Sequence, residues 1–524
     1  MEEAVNPKEI TSMVRKLWTM SILLFCIMTI SCQPDNKQQN PNIIIILADD
    51  MGYGDVGILN SDSRIPTPNL DKIASEGLIF TDAHSGGSYC VPSRYSLLTG
   101  RYMWRTRLGS GGNLSNYAGT LIEPGRLTIA EMLKNAGYYT GMVGKWHQGI
   151  DWKLFDESAR DSIRDDPNYQ NYKNIDFSSP VIKGVNDYGF DYSFAKGGSA
   201  EMNPCAYIEN NKVTSIPLYT TEDMKQKYGE WYGRDDNHVA EGFTMEGLVP
   251  VLSNKACEFI ESACKSNLDK PFFLYYALTA PHNPIVPNQE FQGKGNAGAY
   301  GDFMFELDYH VGKIINKLKE LEIDKNTIVI FSSDNGPIDI TKNPERWIRG
   351  DRNIYGHISN APFSGWKGSL LEGGHRVPFF IRWPGHVNPG EKCSTTIVFN
   401  DVLPTLAEML DIELDNSTAE DGKSFFKAIT GEERPQSFHE AIVYNTSIRR
   451  SASAFAIRKG NYKLLVEGPQ TNSDMLNDSI PVNFILYDLE NDIKETTNVA
   501  GEHPDKAADM HKLLKKYIAE GRSN

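Results

Sequence analysis

The chain has 524 residues, of which 40% are hydrophobic and 10% aromatic, enough for one large α/β domain and a smaller one. Its formal net charge of -15 argues against a nucleic-acid partner, because binding to phosphates needs a concentrated basic surface. An anionic ligand must therefore be held by a local cluster of cations or by a metal ion.

The N-terminal segment is predicted to direct export. Arg15-Lys16 precede an apolar run at 17–30 that is too short for a membrane span and ends in small residues, as in a secretory signal. The residues that end at Cys32 resemble a bacterial lipobox, so 1–32 is predicted to be a lipoprotein signal peptide with Cys32 as the lipidated mature N-terminus. Ordinary secretion with a nearby cut is the alternative. The polar residues 33–40 are interpreted as a linker.

This interpretation predicts a location as well. We expect an exported bacterial lipoprotein, either periplasmic or associated with the outer membrane. Its only contact with a membrane would be the lipid anchor at Cys32.

Apolar runs that end in polar residues mark the predicted strands of a main domain. Residues 42–47 form a continuous apolar run, which is typical of a parallel strand buried on both faces of a sheet. The other predicted elements, in chain order, are a helix from Thr67-Pro68 to Gly77, a strand at 78–80, a helix capped by Thr128 and ended by Gly137, strands at 138–143 and 272–278, a helix with an apolar stripe from Leu307 to Leu321, and strands at 327–333 and 377–381. The alternation predicts a mainly parallel sheet with helices on both faces.

From about residue 437 the pattern changes to short strands and a final helix. The strands are predicted at 455–458, 462–466 and 484–489, and the helix at 505–518. We therefore expect a main α/β domain at 41–436 and a smaller α+β domain at 437–524.

Polar side chains follow the carboxyl ends of several predicted strands. These residues are Asp49-Asp50, Lys145 and His147, His282, and Asp334-Asn335. In open α/β sheets this edge is where ligands bind. The sequence therefore predicts a ligand site that these residues share.

Two of these strand ends carry oxygen donors that suit a metal ion. Asp49, Asp50, Asp334 and Asn335 are the donor types that a hard divalent cation prefers, and several carboxylates in an all-protein cage favour Ca²⁺ over Mg²⁺. The alternative is that each pair only caps a helix or a turn. Because both pairs end buried strands, we expect one Ca²⁺ ion.

Cys90 lies close to a predicted helix start. Pro92 fits the first turn of a helix, so Cys90 would lie near the positive end of that helix, where negative charge on a nucleophile or a bound anion is stabilised. Taken alone, an inert buried thiol is the alternative.

Five further side chains complete the candidate site. Arg94, Lys145 and Lys367 are cationic donors, and His147 and His282 can exchange protons near neutral pH. A single lysine or histidine in a loop is usually solvated. Together with a metal ion and a helix start, however, they outline a pocket for a tetrahedral oxyanion with a proton donor for its leaving group.

These residues stand in motifs that resemble the type I, arylsulfatase-like sulfatase family. The motifs, in order, are Asp49-Asp50, Cys90-Val91-Pro92-Ser93-Arg94 with Leu98-Thr99-Gly100-Arg101, Gly144-Lys145-Trp146-His147, Pro281-His282, Asp334-Asn335-Gly336 and the stretch 365–378. The match runs from about residue 42 to residue 499. Within it, 98–125 is similar to bacterial members that resemble arylsulfatase A and galactosamine-6-sulfatase.

The resemblance implies an alkaline-phosphatase-like fold in which 41–436 is the catalytic domain. It also implies that a maturation enzyme, which reads Pro92 and Arg94, oxidises Cys90 to formylglycine. The hydrated aldehyde would be the nucleophile, bound to one Ca²⁺ ion. The implied metal ligands are Asp49, Asp50, residue 90, Asp334 and Asn335.

The resemblance assigns roles to the remaining side chains. One hydroxyl of the hydrated aldehyde would attack sulfur in line, while His282 and Lys367 hold the sulfate and protonate the leaving oxygen. His147 would take the proton from the second hydroxyl so that sulfate is expelled. Arg94 and Lys145 would hold the hydrate and its charge.

The implied substrates are sulfate esters on glycan fragments, with 6-O-sulfated galactose or N-acetylgalactosamine favoured. Trp152, Trp231 and Tyr232, in a long polar segment at 151–238, suggest a carbohydrate surface because aromatic faces stack on sugar rings. The alternative for these rings is that they form the core of the loops.

Two alternative functions stay open. One is a phosphodiester or phosphonate monoester hydrolase of the alkaline phosphatase superfamily, since a metal ion and charged clamps also suit phosphoryl transfer. The other is a non-catalytic lipoprotein that binds sulfated glycans. The maturation signal around Cys90 disfavours the first, and the full set of acid, base and metal residues disfavours the second.

Overall fold

The computed structural model describes residues 40–524 except 110–113, 167, 169–171, 221, 224–225, 227–237, 267–269, 343–347, 349 and 447–452. The predicted signal peptide with Cys32, almost all of the predicted linker, and Trp231 and Tyr232 lie outside the described residues.

Strands and helices alternate through most of the described chain. The strands are β1 (Asn42–Ala48), β2 (Leu78–Phe80), β3 (Ala83–His84), β4 (Tyr139–Lys145), β5 (Tyr192–Lys196), β6 (Tyr207–Glu209), β7 (Lys212–Val213), β8 (Tyr219–Thr220), β9 (His238–Val239), β10 (Phe272–Ala277), β11 (Thr327–Ser333), β12 (Phe379–Arg382), β13 (Glu391–Cys393), β14 (Ile397–Val398), β15 (Ile442–Asn445), β16 (Ser453–Lys459), β17 (Tyr462–Glu467) and β18 (Asn483–Asp488). The described α-helices are α1 (Pro68–Ser75), α2 (Cys90–Thr99), α3 (Ile129–Asn135), α4 (Arg160–Asp165), α5 (Leu248–Ser266), α6 (Gly298–Glu320), α7 (Glu372–His375), α8 (Val402–Met409), α9 (Phe426–Thr430), α10 (Asn472–Leu476) and α11 (Pro504–Glu520).

A ten-stranded sheet with the order β13-β2-β12-β11-β1-β10-β4-β5-β6-β7 positions the candidate site. Strand β1 lies near its centre and pairs in parallel with both β10 and β11. Alternate residues of β1 enter two different hydrophobic clusters, with Ile43 in one and Ile44 in the other. The sheet is therefore covered on both faces, and the prediction from the apolar run is confirmed.

The sheet is mainly parallel around β1, as predicted, but its outer parts are mixed. Strand β12 runs antiparallel to both β11 and β2, and the edge strands β6 and β7 are antiparallel as well. Strand β12 begins after Pro378, two residues later than predicted, because proline has no N–H to donate to a ladder.

Helices cover the sheet at the predicted places. Leu70 and Ile73 of α1 are buried, and the Thr128 hydroxyl accepts a 3.1 Å hydrogen bond from the Glu131 backbone at the start of α3. Among the described residues, none of the helices combines the length and the apolar character needed to cross a membrane.

The C-terminal strands form a separate antiparallel sheet with the order β15-β16-β17-β18. Leu464 and Leu486 of this sheet are buried in one cluster with Leu514 of α11. The predicted strands and final helix are confirmed here, while the domain boundary at 436/437 stays a prediction.

Candidate active site

The two acidic motifs lie side by side because β1 and β11 are in parallel register, with Ala48 opposite Ser333. The Asp50 backbone N–H donates to Asp334 Oδ1 at 3.1 Å. The Asn335 side-chain amide donates to Asp50 Oδ1 at 2.8 Å. Asp50, which has a φ of 68°, is completely buried like its partners.

Cys90 is the first residue of α2 and points at this acidic group. Its Sγ lies 3.5 Å from Asp49 Oδ1 and 3.3 Å from Lys367 Nζ. Pro92 lies in the first turn of the helix, as predicted.

The surroundings of Cys90 favour the neutral thiol. Burial and the neighbouring Asp334 and Asp49 carboxylates raise that pKa to about 12, against the effect of the nearby lysines. The unmodified residue is therefore held as a neutral thiol, while stabilisation of a nucleophile or a bound anion by the helix start stays a prediction.

Three buried cations bind the three carboxylates. Arg94 Nε donates to Asp334 Oδ2 at 2.9 Å, and Lys145 Nζ lies 2.7 Å from Asp49 Oδ2. The Lys367 ammonium group lies 2.5 Å from Asp50 Oδ1 and 8% of this side chain is exposed, whereas Arg94 and Lys145 are fully buried.

The ion pair between Asp49 and Lys145 keeps both partners charged. Burial acts to raise the pKa of Asp49, yet Lys145 and the other neighbouring cations hold it at about 2. Burial acts to lower the pKa of Lys145, and Asp49 raises it above its usual value. The charge that these groups present is therefore fixed through the neutral pH range.

The two histidines have different surroundings. His147 Nε2 lies 3.2 Å from the Leu114 carbonyl oxygen, and its buried Nδ1 has no hydrogen-bond partner among the described residues. Burial, with Lys145 and Arg94 nearby, holds the pKa of His147 well below its usual value, so the ring is neutral. His282 Nδ1 donates to the Asn283 carbonyl at 2.5 Å, which leaves its Nε2 3.5 Å from Asp50 Oδ2.

The donor set fits a hard divalent ion. Candidate ligand atoms of Asp49, Asp50, Cys90 and His282 lie within 4.8 Å of one another. In addition, the buried oxygens Asp50 Oδ2 and Asn335 Oδ1 have no hydrogen-bond partner in the part of the chain that the structure describes. Unpaired buried oxygens are costly unless a cation or water binds them, so this group is where a metal ion would be held.

A second buried group, formed by His84, Glu372 and His375, also has the spacing of metal ligands. Its atoms already have partners within the protein. Lys463 lies 2.9 Å from Glu372 Oε1, Arg376 lies 3.1 Å from Oε2, and the two histidines contact each other at 3.0 Å. We interpret this group as a filled polar network that packs α7 against the C-terminal sheet.

The structure adds one residue that the sequence analysis missed. Ser199 follows the carboxyl end of β5, at the same edge of the sheet, and its hydroxyl accepts a 2.9 Å hydrogen bond from Lys145 Nζ. The same oxygen lies 3.3 Å from His282 Nε2. A strand prediction for β5 would have provided the signal, but the polar segment at 151–238 gives none.

The structure also corrects an expectation about one aromatic residue of the predicted carbohydrate surface. Trp152 is only 2% exposed, packs edge-on against Phe177 and donates from its indole N–H to the Asn116 carbonyl. The alternative interpretation, loop core, is therefore correct for this residue.

Comparisons with known proteins identify the family of the chain. Residues 41–412 match the family model described as Sulfatase, and 365–524 match the one described as N-sulphoglucosamine sulphohydrolase, C-terminal. The chain is 31% identical to N-acetylgalactosamine-6-O-sulfatase of Bacteroides thetaiotaomicron, over 92% of this chain and 94% of that protein. It is 31% identical to human arylsulfatase A, over 88% of this chain and 83% of that protein.

A solved structure from Bacteroides thetaiotaomicron, determined in work on the metabolism of multiple glycosaminoglycans, is similar with a TM-score of 0.75 and 29% identity. That match covers 92% of this chain and 100% of the other. The alkaline-phosphatase-like fold expected from the motifs is thereby confirmed. The chain belongs to the sulfatase family and is an enzyme that hydrolyses sulfate esters.

Proposed function

We propose that this enzyme removes sulfate esters from glycosaminoglycan-type glycan fragments, with 6-O-sulfated galactose or N-acetylgalactosamine as its sugar. The contact of Cys90 with Asp49 and Lys367 at the carboxyl edge of the sheet carries the proposal. The name of the Bacteroides thetaiotaomicron relative supports the choice of sugar.

Cys90 is proposed to be oxidised to formylglycine by a maturation enzyme. With a pKa raised to about 12, the unmodified thiol is protonated at neutral pH and is a poor nucleophile. The hydrated aldehyde supplies two hydroxyl groups on one carbon, one to attack sulfur and one through which sulfate can be expelled.

One Ca²⁺ ion is proposed to be held by Asp49, Asp50, residue 90, Asp334 and Asn335. When bound, such an ion supplies positive charge that polarises a sulfate oxygen and favours the deprotonated nucleophile. The three carboxylates of this site are already balanced by Arg94, Lys145 and Lys367. A divalent ion therefore leaves an excess of positive charge, which suits an anionic ester.

The hydrogen bonds of the two histidines determine which ring nitrogen of each can take part in a proton transfer. Because the Leu114 carbonyl can only accept, His147 Nε2 carries its proton and the Nδ1 lone pair is free to take one from the nucleophile. For the same reason His282 Nδ1 carries a proton, so Nε2 is the ring atom that faces the reaction, and it donates to the leaving oxygen when the ring carries a second proton there.

The cations orient the reacting groups. Lys367, the most exposed of the three, is proposed to bind the sulfate together with His282. Arg94 and Lys145 hold Asp334 and Asp49 in place and stabilise the charge of the nucleophile.

Export and lipidation complete the proposal. Residues 1–32 would be removed, and Cys32 would carry the only membrane anchor. Sulfated carbohydrate and the maturation enzyme are the expected partners.

The test is a panel of sulfated mono- and disaccharides, assayed with enzyme matured in a host that has the maturation enzyme and with unmatured enzyme. We expect turnover by the matured form alone, fastest on a 6-O-sulfated galactose or N-acetylgalactosamine. The mass of the peptide that contains Cys90 reports the conversion. Equal turnover by unconverted enzyme contradicts the assignment of formylglycine as the nucleophile. Faster turnover of a phosphodiester contradicts the assignment of sulfate esters as the substrates.

A further inference from the structure

A cavity of about 880 Å³ lies beside the first residues of α6. Its walls come from three segments, which contribute Asp62 and Arg64, Asp302, and Asp351 and Tyr355. None of the residues assigned to the active site lines it. The proposed reaction therefore leaves this cavity without a role.

One wall is an aromatic ring held in a fixed position. Tyr355 is 50% exposed, and its hydroxyl donates to Asp351 Oδ2 at 2.6 Å while its backbone N–H donates to Asn353 Oδ1 at 2.9 Å. Two residues further on, His357 Nε2 contacts the buried Asp55 carboxylate at 2.7 Å. The chain is thus anchored on both sides of Tyr355. Because the ring is already ordered, a ligand that packs against its exposed face costs little side-chain entropy.

Another part of the cavity lining offers hydrogen-bonding groups. The exposed Arg64 guanidinium group forms no hydrogen bond or ion pair with any residue that the structure describes, and the same holds for the Asp62 carboxylate. Unpaired N–H donors and carboxylate acceptors close together match the adjacent hydroxyl groups of a sugar ring, each of which both donates and accepts.

The charges and hydrogen bonds of the cavity lining disfavour anionic ligands and metal ions. Three aspartates face one arginine, so an anionic ligand is disfavoured here, unlike in the active site. A metal ion is disfavoured too, because Asp302 already accepts from the Gly293 and Gly295 backbones at 2.8 and 2.7 Å. Asp351 is likewise occupied by Tyr355.

We propose that this cavity is a second carbohydrate site, which binds an uncharged sugar unit between the ring of Tyr355 and the side chains of Arg64 and Asp62. The site would hold an unsulfated part of a glycan while the sulfated part is processed, or hold the enzyme on a glycan surface. The choice of a sugar among neutral polar ligands rests on the proposed function.

The test is ligand-observed NMR with the unmatured protein, so that no turnover interferes. The probe is an N-acetyllactosamine tetrasaccharide, which is uncharged, and the comparison probe is an unsulfated chondroitin tetrasaccharide, which is anionic. We expect saturation transfer to the first probe and a dissociation constant at least fivefold weaker for the second. Tyr355→Ala and Arg64→Ala should each weaken binding of the uncharged probe by about fivefold or more.

Tyr309→Ala is the matched control, because Tyr309 is 51% exposed and does not line the cavity. It should bind the uncharged probe with the same dissociation constant as the unmatured protein without a substitution. Absence of binding, equal binding by the Tyr355→Ala protein, or tighter binding of the anionic probe overturns the proposal. Turnover of a sulfated monosaccharide by matured Tyr355→Ala enzyme should be unchanged, so a failed sulfatase assay contradicts the proposed function and not this site.

Discussion

The Asp50 backbone N–H donates to the Asp334 side chain across the carboxyl ends of two neighbouring strands, with a length of 3.1 Å. Asp334 also accepts from Arg94 at 2.9 Å. One carboxylate therefore joins β1, β11 and the helix that begins at Cys90. The charge of Asp334 matters to all three parts of the site.

Asp334→Asn should lower both the calcium content and the turnover of the matured enzyme. The amide keeps the size of the side chain but removes the charge that a metal ion and Arg94 both bind, and the buried Arg94 then keeps only its longer 3.5 Å ion pair with Asp49 Oδ1. Calcium is measured by elemental analysis of purified protein, and turnover with the preferred sulfated sugar.

Asp339→Asn is the control for this change. Asp339 follows the same strand but binds only Thr341 and Lys342 among the described residues, so calcium content and turnover should not change. Full calcium content in the Asp334→Asn protein would exclude Asp334 as a ligand.

Cys90→Ala should abolish turnover, by about a thousandfold or more, without unfolding the protein. The thiol packs against charged groups and contributes little apolar burial, so the melting temperature should shift by only a few degrees. Cys205→Ala, in which another buried cysteine is removed, is the control and should remain active. Substantial turnover by the Cys90→Ala enzyme would rule out the assigned nucleophile.

His147→Gln should lower kcat by about 10²- to 10⁴-fold, because the amide cannot take a proton. The direction of the pKa shift predicts the pH profile as well. Since the pKa of His147 is held well below its usual value, the ring stays neutral as the pH falls through about 6.5. This residue should therefore keep its function as a base into more acidic solution.

The measurement is kcat from pH 4 to pH 8. In the matured enzyme without the substitution, the acidic limb assigned to His147 should lie below pH 6.5. This limb should be missing in the matured variant. An acidic limb that is unchanged in His147→Gln would show that another group accepts the proton. His386→Gln, a substitution outside the site, should give the same pH profile as the matured enzyme without a substitution.

The sequence predicted the metal-type cluster because position at a strand end is a local property. Each buried strand is an apolar run, and the residue after the run must lie at the carboxyl edge, so Asp49 and Asp334 could be placed together without knowing the whole fold. The structure confirms that the strands which carry these residues are neighbours in parallel register.

The long segment at 151–238 could not be treated in this way. Its strands are short, and whether a side chain turns inward depends on contacts far along the chain. Ser199 reaches Lys145 because β5 pairs with β4, and Trp152 is buried because distant residues such as Phe177 pack against it. The strand β12 was predicted but its antiparallel direction was not, because the residues of a strand do not determine its direction in the sheet.

Lys463→Met should destabilise the folded protein by about 3–5 kcal/mol, which is the cost of removing one partner from a buried ion pair. Lys463 is fully buried and binds Glu372 at 2.9 Å and Glu495 at 2.5 Å, so the variant leaves two carboxylates close together without their shared cation. The free energy of unfolding is measured by urea denaturation monitored by fluorescence. Lys459→Met is the matched control: its pair with Glu440 is half exposed, so the loss should stay below about 1 kcal/mol. Equal effects of the two substitutions would show that the buried network contributes no more to stability than a surface pair.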